Sequence, residues 1–177
     1  MGLAEHCEHG VFLSVFGVGL LIKGNAGMGK STLALELIER GHQFICDDAV
    51  QVSVDNTRLM GKSPQLLKDL LAVRDLGVIN ISQLFSADSC LIKHSLDLVI
   101  KLVDDEHGIP STLTGIQSHL TILNHKIPVQ LLHAHPKRNL AIITETAVKN
   151  HILYKRGQDA GTLLEKQQQQ TIYNQTS

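Results

Sequence analysis

The sequence predicts an α/β domain built around a phosphate-binding loop, and three observations carry that prediction. An apolar run leads directly into a glycine-rich octet ending in Lys30-Ser31. The octet opens a stretch of helix formers, and a second apolar run then closes on Asp47-Asp48. Strand, glycine loop, helix and strand in that order form the opening unit of a sheet with helices packed on it. With 177 residues, 43% of them hydrophobic, the chain is long enough for one such domain and short for two.

Taken in order, Val11 to Val15 and Gly19 to Lys23 are short β-branched or Leu-rich runs around Phe16-Gly17-Val18, and both read as strands. Gly24 to Lys30 is the glycine loop. Ser31 to Arg40 holds only helix formers, with Leu33, Ala34, Leu37 and Ile38 at helical spacing and Gly41 to stop it. Gln43 to Cys46 resumes as a strand. Ala49 to Val54 and Arg58 to Met60 suit a hairpin around Asp55-Asn56-Thr57. Pro64 can open a short helix reaching Leu71. Ser95 to Val103 reads as one strand, Asp104 to Gly108 as a solvated turn, and Ser118 to Leu123 and Val129 to Leu132 as further strands. Leu140 to Tyr154 carries Leu140, Ile143, Ala147 and Ile152 at helical spacing and ends at Gly157. Residues 1–164 are expected to form one domain, and the glutamine-rich tail 165–177 to be disordered.

Composition narrows the function classes. Sixteen Lys and Arg against 17 Asp and Glu leave a net charge of −1, so no broad positive field exists for nucleic acid or an anionic membrane. Aromatic residues make up 3% of the chain and Trp is absent, which weakens any reading built on base-stacking platforms. Cys7, Cys46 and Cys90 are odd in number and widely spaced, so neither a disulfide scaffold nor a cysteine zinc site is expected. The longest apolar run, Val11 to Ile22, is too short to span a bilayer, and no charged n-region precedes it. A cytoplasmic protein is the expectation.

Gly24-Asn25-Ala26-Gly27-Met28-Gly29-Lys30-Ser31 satisfies G-x-x-x-x-G-K-S/T in full. Glycines let the loop curl so that successive N–H groups converge on phosphate oxygens, and the following helix aims its positive end at the same anion. Lys30 is placed to reach the outer phosphates and the Ser31 hydroxyl to ligate Mg²⁺. Asp47-Asp48 closes the next strand, where the carboxyl ends of strands gather around a ligand. Such a carboxylate can hold Mg²⁺ through water or take a proton from an attacking hydroxyl. Adjacent strand residues point to opposite faces, so one of the pair faces the phosphate and the other elsewhere. His133 and His135 could share a strand face, but no third ligand accompanies them, and a polar loop is the simpler reading. His6, Cys7 and His9 suit a flexible terminus, Lys137-Arg138 a solvated helix start, and Asp104-Asp105-Glu106 a solvated turn.

The octet, followed by Leu33 to Ile38, Arg40-Gly41-His42 and Asp47-Asp48-Ala49-Val50, resembles the catalytic domain of HPr kinase/phosphorylase. Further stretches agree. His9-Gly10 with Val15 to Gly19 resembles the family's lead-in to the loop, Val73-Arg74-Asp75-Leu76-Gly77-Val78-Ile79 its Ile-Arg-Gly-Leu-Gly-Ile-Ile segment, and Pro136 to Asn139 its late Pro-Gly-Arg-Asn helix start. The likeness runs in order over nearly the whole chain. It implies a P-loop fold similar to that of phosphoenolpyruvate carboxykinases and a hexameric homo-oligomer. It also implies a bifunctional enzyme that phosphorylates a serine of the phosphocarrier HPr with ATP and Mg²⁺. The reverse reaction is phosphorolysis, which consumes inorganic phosphate and forms pyrophosphate. By position, Asp48 is the implied base, Lys30 and Ser31 keep their loop tasks, and Asp47 stands beside the base. His9 is implied as an additional active-site group, and Arg138 falls in the segment tied to phosphorolysis.

Several positions depart from the family pattern. Ala72 stands where the family has a metal-binding Glu, Asp75 where it has Gly, and Thr32 where it has Glu. Ser111 to Gly115 replaces a family segment containing arginine, and the full-length enzyme's N-terminal regulatory domain has no counterpart in these 177 residues. The leading reading is an HPr-directed serine kinase. Two alternatives use the same loop: a non-catalytic nucleotide-binding module, suggested by Ala72, and a small-molecule kinase, since fold does not fix the acceptor.

Overall fold

The computed structural model describes residues 6–104, 116, 118–158 and 160–175. Its strands are β1 (His6–His9), β2 (Val11–Val15), β3 (Val18–Lys23), β4 (Gln43–Cys46), β5 (Ala49–Asp55), β6 (Arg58–Lys62), β7 (Leu70–Val73), β8 (Gly77–Asn80), β9 (Lys93–Ser95), β10 (Leu98–Val103), β11 (Ser118–Ile122) and β12 (His125–His133). Its helices are α1 (Lys30–Glu39), α2 (Ile81–Leu84), α3 (Leu140–Lys155) and α4 (Ala160–Gln175).

The central sheet has six strands in the order β11-β12-β10-β3-β2-β4. β3, β10 and β12 run parallel, and β2 is antiparallel to both β3 and β4. β4 therefore points the same way as β3, and the carboxyl ends of β3, β4, β10 and β12 share one edge. A second sheet, β1-β5-β6-β9, and a hairpin, β7-β8, complete the strands.

Alternation along the central strands builds two cores, one on each face. Leu13, Leu20, Ile22, Leu98, Ile100 and Leu102 face the helical layer, where Leu33, Ala34, Leu37 and Ile38 of α1 and Ala141, Ala147 and Val148 of α3 meet them. Phe12, Leu21 and Val99 point the other way, onto Val50, Val52 and Leu59 of the second sheet. Burial on both faces explains why β2 and β3 are almost continuously apolar.

The predicted loop, helix α1, strand β4 and the β5–β6 hairpin stand where the sequence places them. Four expectations change. The helix expected from Pro64 to Leu71 is only a single 3₁₀ turn, Gln65–Leu67; Asp69 takes φ +60°, and Leu70–Val73 then pairs with Gly77–Asn80. The strand expected from Ser95 to Val103 breaks at Leu96-Asp97, because Asp97 turns inward to accept the Gly19 N–H at 3.0 Å. His6 to His9 is no loose terminus: it forms an edge strand paired with Ala49 to Val52. Residues 165–175 of the glutamine-rich tail, expected to be disordered, continue α4, since Leu, Glu, Lys and Gln are all good helix formers. Ser111 to Gly115 and most of the Asp104–Gly108 turn lie outside the described residues. Among the described residues no helix is long and apolar enough to cross a membrane.

Candidate active site

Gly24 to Gly29 leaves β3 at the shared carboxyl edge and turns into α1. Gly24 at φ +150° sits so close to β10 that a Cβ there would lie 3.0 Å from the Leu102 carbonyl oxygen. Gly29 caps α1 at φ +83°, a left-handed conformation that leaves the first helical N–H groups directed into the loop. Lys30 folds back over it: its Nζ donates to the Gly24 carbonyl at 2.8 Å and to that of Asn25 at 3.0 Å. The ammonium is thus held at the mouth of the cradle. Ser31, next on the helix, is half-buried.

β4 brings the carboxylates to the same edge, and the chain sends them apart. Asp47 Oδ2 accepts the Ala72 N–H at 3.0 Å and its Oδ1 accepts the Asp48 N–H at 2.9 Å. Burial pushes the Asp47 carboxyl above its ordinary range, and those two N–H donors and the charge of Lys30 pull against it. Asp48 takes φ +68°, tolerated by Asp, and its side chain is 82% exposed. Its Oδ1 lies 3.8 Å from His9 Nδ1, and the Gly10 N–H donates to its carbonyl at 3.2 Å. His9 reaches this point because β1 pairs with β5 immediately after Asp48. β1 is itself pinned by Glu8, a buried carboxylate that accepts from Lys23, the last residue before the loop.

Arg138 arrives from β12. Past His133 the chain turns, with the Arg138 N–H donating to the His135 carbonyl at 2.9 Å, and Asn139 caps α3 by accepting the Ile142 N–H at 3.1 Å. Arg138 borders a cleft of about 490 Å³ with Ala26, Gly27, Met28, Gly29 and Thr32. His133 and His135 are at the same edge; among the described residues no group of three His, Cys, Asp or Glu side chains is placed to hold a metal. The Ser31 hydroxyl at the start of α1 and the Asp47 carboxylate just past β4 are oxygen donors at this edge. A hard cation completed by water and phosphate oxygens needs no more than one or two such side chains, so the set suits Mg²⁺.

Arg74 is a site residue that sequence reasoning did not single out. It tops the β7–β8 hairpin, and its Nη2 lies 3.8 Å from where a Cβ on Gly27 would stand. Its neighbour Asp75 takes φ +73°, which explains why a glycine suits that turn. At Ala72 the backbone N–H keeps its bond to Asp47, and the side chain supplies no oxygen.

A glycine cradle with an inward lysine at a helix start, with a pair of aspartates two strands away at the same sheet edge, defines a P-loop phosphate-binding domain of the kinase type. The chain belongs to a particular family of that class, the HPr Serine kinase C-terminal domain, whose model matches residues 2–168. It is 42% identical to an HPr kinase/phosphorylase of Neisseria meningitidis over 97% of this chain and 55% of that protein. An HPr kinase/phosphorylase of Azoarcus sp. is 44% identical over 89% of this chain and 52% of the relative. The solved structure of the Hpr(Ser) kinase/phosphatase from Coxiella burnetii superposes with a TM-score of 0.82 at 34% identity, covering 90% of this chain and 98% of that one. The chain spans about half the length of the curated relatives it matches.

Proposed function

We propose that this domain transfers the γ-phosphoryl group of ATP to a serine hydroxyl of HPr or an HPr-like carrier protein in the cytoplasm. The observation that carries this reading is the convergence of Lys30, Asp47 and the His9–Asp48 pair on one sheet edge around the glycine cradle. The loop N–H groups and Lys30 bind and orient the phosphates, with Lys30 exchanging its two carbonyl partners for phosphate oxygens. Ser31 and Asp47 hold Mg²⁺, which when bound neutralises phosphate charge. Asp48, exposed toward the acceptor side, takes the seryl proton as the oxygen bonds to phosphorus and the bond to ADP breaks. His9 orients that carboxylate. Arg138, which lines the cleft beside the loop, and Arg74, which reaches toward Gly27, stabilise the charge spread over the transferring oxygens.

In reverse, inorganic phosphate attacks phosphoserine, the serine oxygen recovers its proton from Asp48, and pyrophosphate leaves. Support for Asp48 rather than Asp47 as the base comes from the partners: Asp47 is occupied by two backbone donors, whereas Asp48 has only the imidazole beside it. Ala72 favours a second reading, a nucleotide-binding module without turnover, because one carboxylate of the family pattern is missing there.

The test is transfer of label from γ-labelled Mg-ATP to purified HPr. Label on serine, lost in Lys30→Ala and Asp48→Asn, supports the kinase. Intact nucleotide binding with no label supports the module instead.

A further inference from the structure

At the opposite end of β3 from the loop, about 20 Å away along the strand, the molecule has a second polar cleft. It lies between the β2–β3 turn, the β5–β6 turn and the last turn of α3, and its volume is about 570 Å³. That size suits a small metabolite. His151 of α3 borders it with a relative exposure of 5%, and neither ring nitrogen has a hydrogen-bond partner. Leaving a buried polar group unpaired is costly, and such groups are rare in native folds.

The charge around His151 is one-sided. Arg58, Lys126, Lys155 and Arg156 all border the cleft, with Asp97 as the one acidic residue among the described residues that line it. Asp97 is already engaged: its Oδ2 accepts the Gly19 N–H at 3.0 Å and the Ser95 hydroxyl at 2.7 Å, and its Oδ1 faces Lys155 at 3.8 Å. Four cations thus surround one committed carboxylate in a chain whose net charge is −1. Burial, reinforced by Lys155, holds the His151 imidazole below its ordinary range, so the ring is neutral and offers one N–H donor and one lone pair. Lys155 and Arg156 also offset the negative end of α3.

We propose that this cleft is a second ligand site, for a small oxyanion of the phosphate or carboxylate class, with the His151 ring as buried hydrogen-bond partner and Arg58, Lys126 and Arg156 as its charge partners. Hydrogen phosphate presents both acceptor oxygens and a P–OH donor, so it suits either ring nitrogen. A polycarboxylate presents acceptors only and requires the ring N–H. The site is separate from the loop and stands whatever the domain phosphorylates.

The test uses the full chain carrying Lys30→Ala, which removes the loop's lysine, titrated with inorganic phosphate and separately with citrate. Histidine ring ¹⁵N spectra are the readout, with His151 assigned by its loss in His151→Leu. Saturable movement of the His151 resonances is expected, and affinity measured by isothermal titration calorimetry should fall about tenfold in His151→Leu and in an Arg58→Ala/Arg156→Ala double variant. Response to phosphate alone or to citrate alone identifies the class. His151→Leu should fold at least as stably as the parent, since it removes an unpaired buried group without opening a cavity. His151 resonances that stay fixed, or that move equally with chloride at matched ionic strength, overturn the proposal.

Discussion

Replacing Glu145 by Gln tests how α1 is fastened to α3. Glu145 Oε1 and Oε2 accept from Arg40 Nε at 2.9 Å and Nη2 at 2.7 Å, and Oε1 lies 2.8 Å from His42 Nε2. The Glu145 side chain is 12% exposed and that of His42 7%, so water does not replace these bonds easily. Arg40, followed by His42, holds the Glu145 carboxyl at about 2 against an ordinary value of 4.5. Linkage converts that gap into a ceiling of about 3 kcal/mol, and solvent screening at the 40%-exposed Arg40 reduces it to about 2 kcal/mol.

A loss of about 2 kcal/mol in Glu145→Gln should lower the thermal midpoint by about 4–8 °C in a domain of this size. The sign with pH follows from the depressed carboxyl. The contribution is complete above the ordinary value of 4.5 and disappears as pH falls through about 2. Urea melts of the parent and Glu145→Gln should therefore differ near neutrality and converge toward pH 2. Equal midpoints at pH 7, or a gap that persists undiminished in acid, would refute the assignment of this stability to the ionised carboxylate.

Other outcomes follow from the site. Asp47→Asn should abolish transfer and lower the thermal midpoint, because the amide offers one acceptor oxygen where the carboxylate accepts from both the Ala72 and the Asp48 N–H. Transfer and melting equal to the parent's would count against Asp47 as the link between β4 and the β7–β8 hairpin. Gly24→Ala should cost about 1–3 kcal/mol by pressing a methyl onto the Leu102 carbonyl at φ +150°, and nucleotide affinity should fall with it. Parent-like melting and binding would show that the loop does not need this close approach. Arg74→Ala should weaken nucleotide binding by isothermal titration about tenfold without moving the melting point, since the side chain is exposed; unchanged affinity removes Arg74 from the site.

The parts legible in the sequence are those fixed by local rules. The octet needs its glycines, α1 needs apolar residues at helical spacing, and Asp47-Asp48 follows a strand that must end beside the loop. What could not be read depends on partners distant in the chain. Nothing near Leu70 shows that it pairs with Asn80 and not with its own helical turn, so the hairpin carrying Arg74 went unseen. Glu8 reaches Lys23, and His9 reaches Asp48, only because β1 lies along β5. The carboxylates presented a similar difficulty. Strand alternation was the expected cause of their divergence, but β4 ends at Cys46, and the left-handed turn at Asp48, whose carbonyl accepts the Gly10 N–H, separates them instead.

β2 lies between β3 and β4, so the strand delivering the glycine cradle and the strand delivering the carboxylates never touch. Two inter-strand spacings separate them, about 9.5 Å, where direct neighbours would leave about 4.8 Å. A tetrahedral phosphoryl group and an incoming hydroxyl at near-attack distance need the wider figure. In the proposed reaction the antiparallel strand acts as a gauge block, setting the gap between the glycine cradle and the carboxylates by backbone geometry. Side chains on either bank can change without closing it.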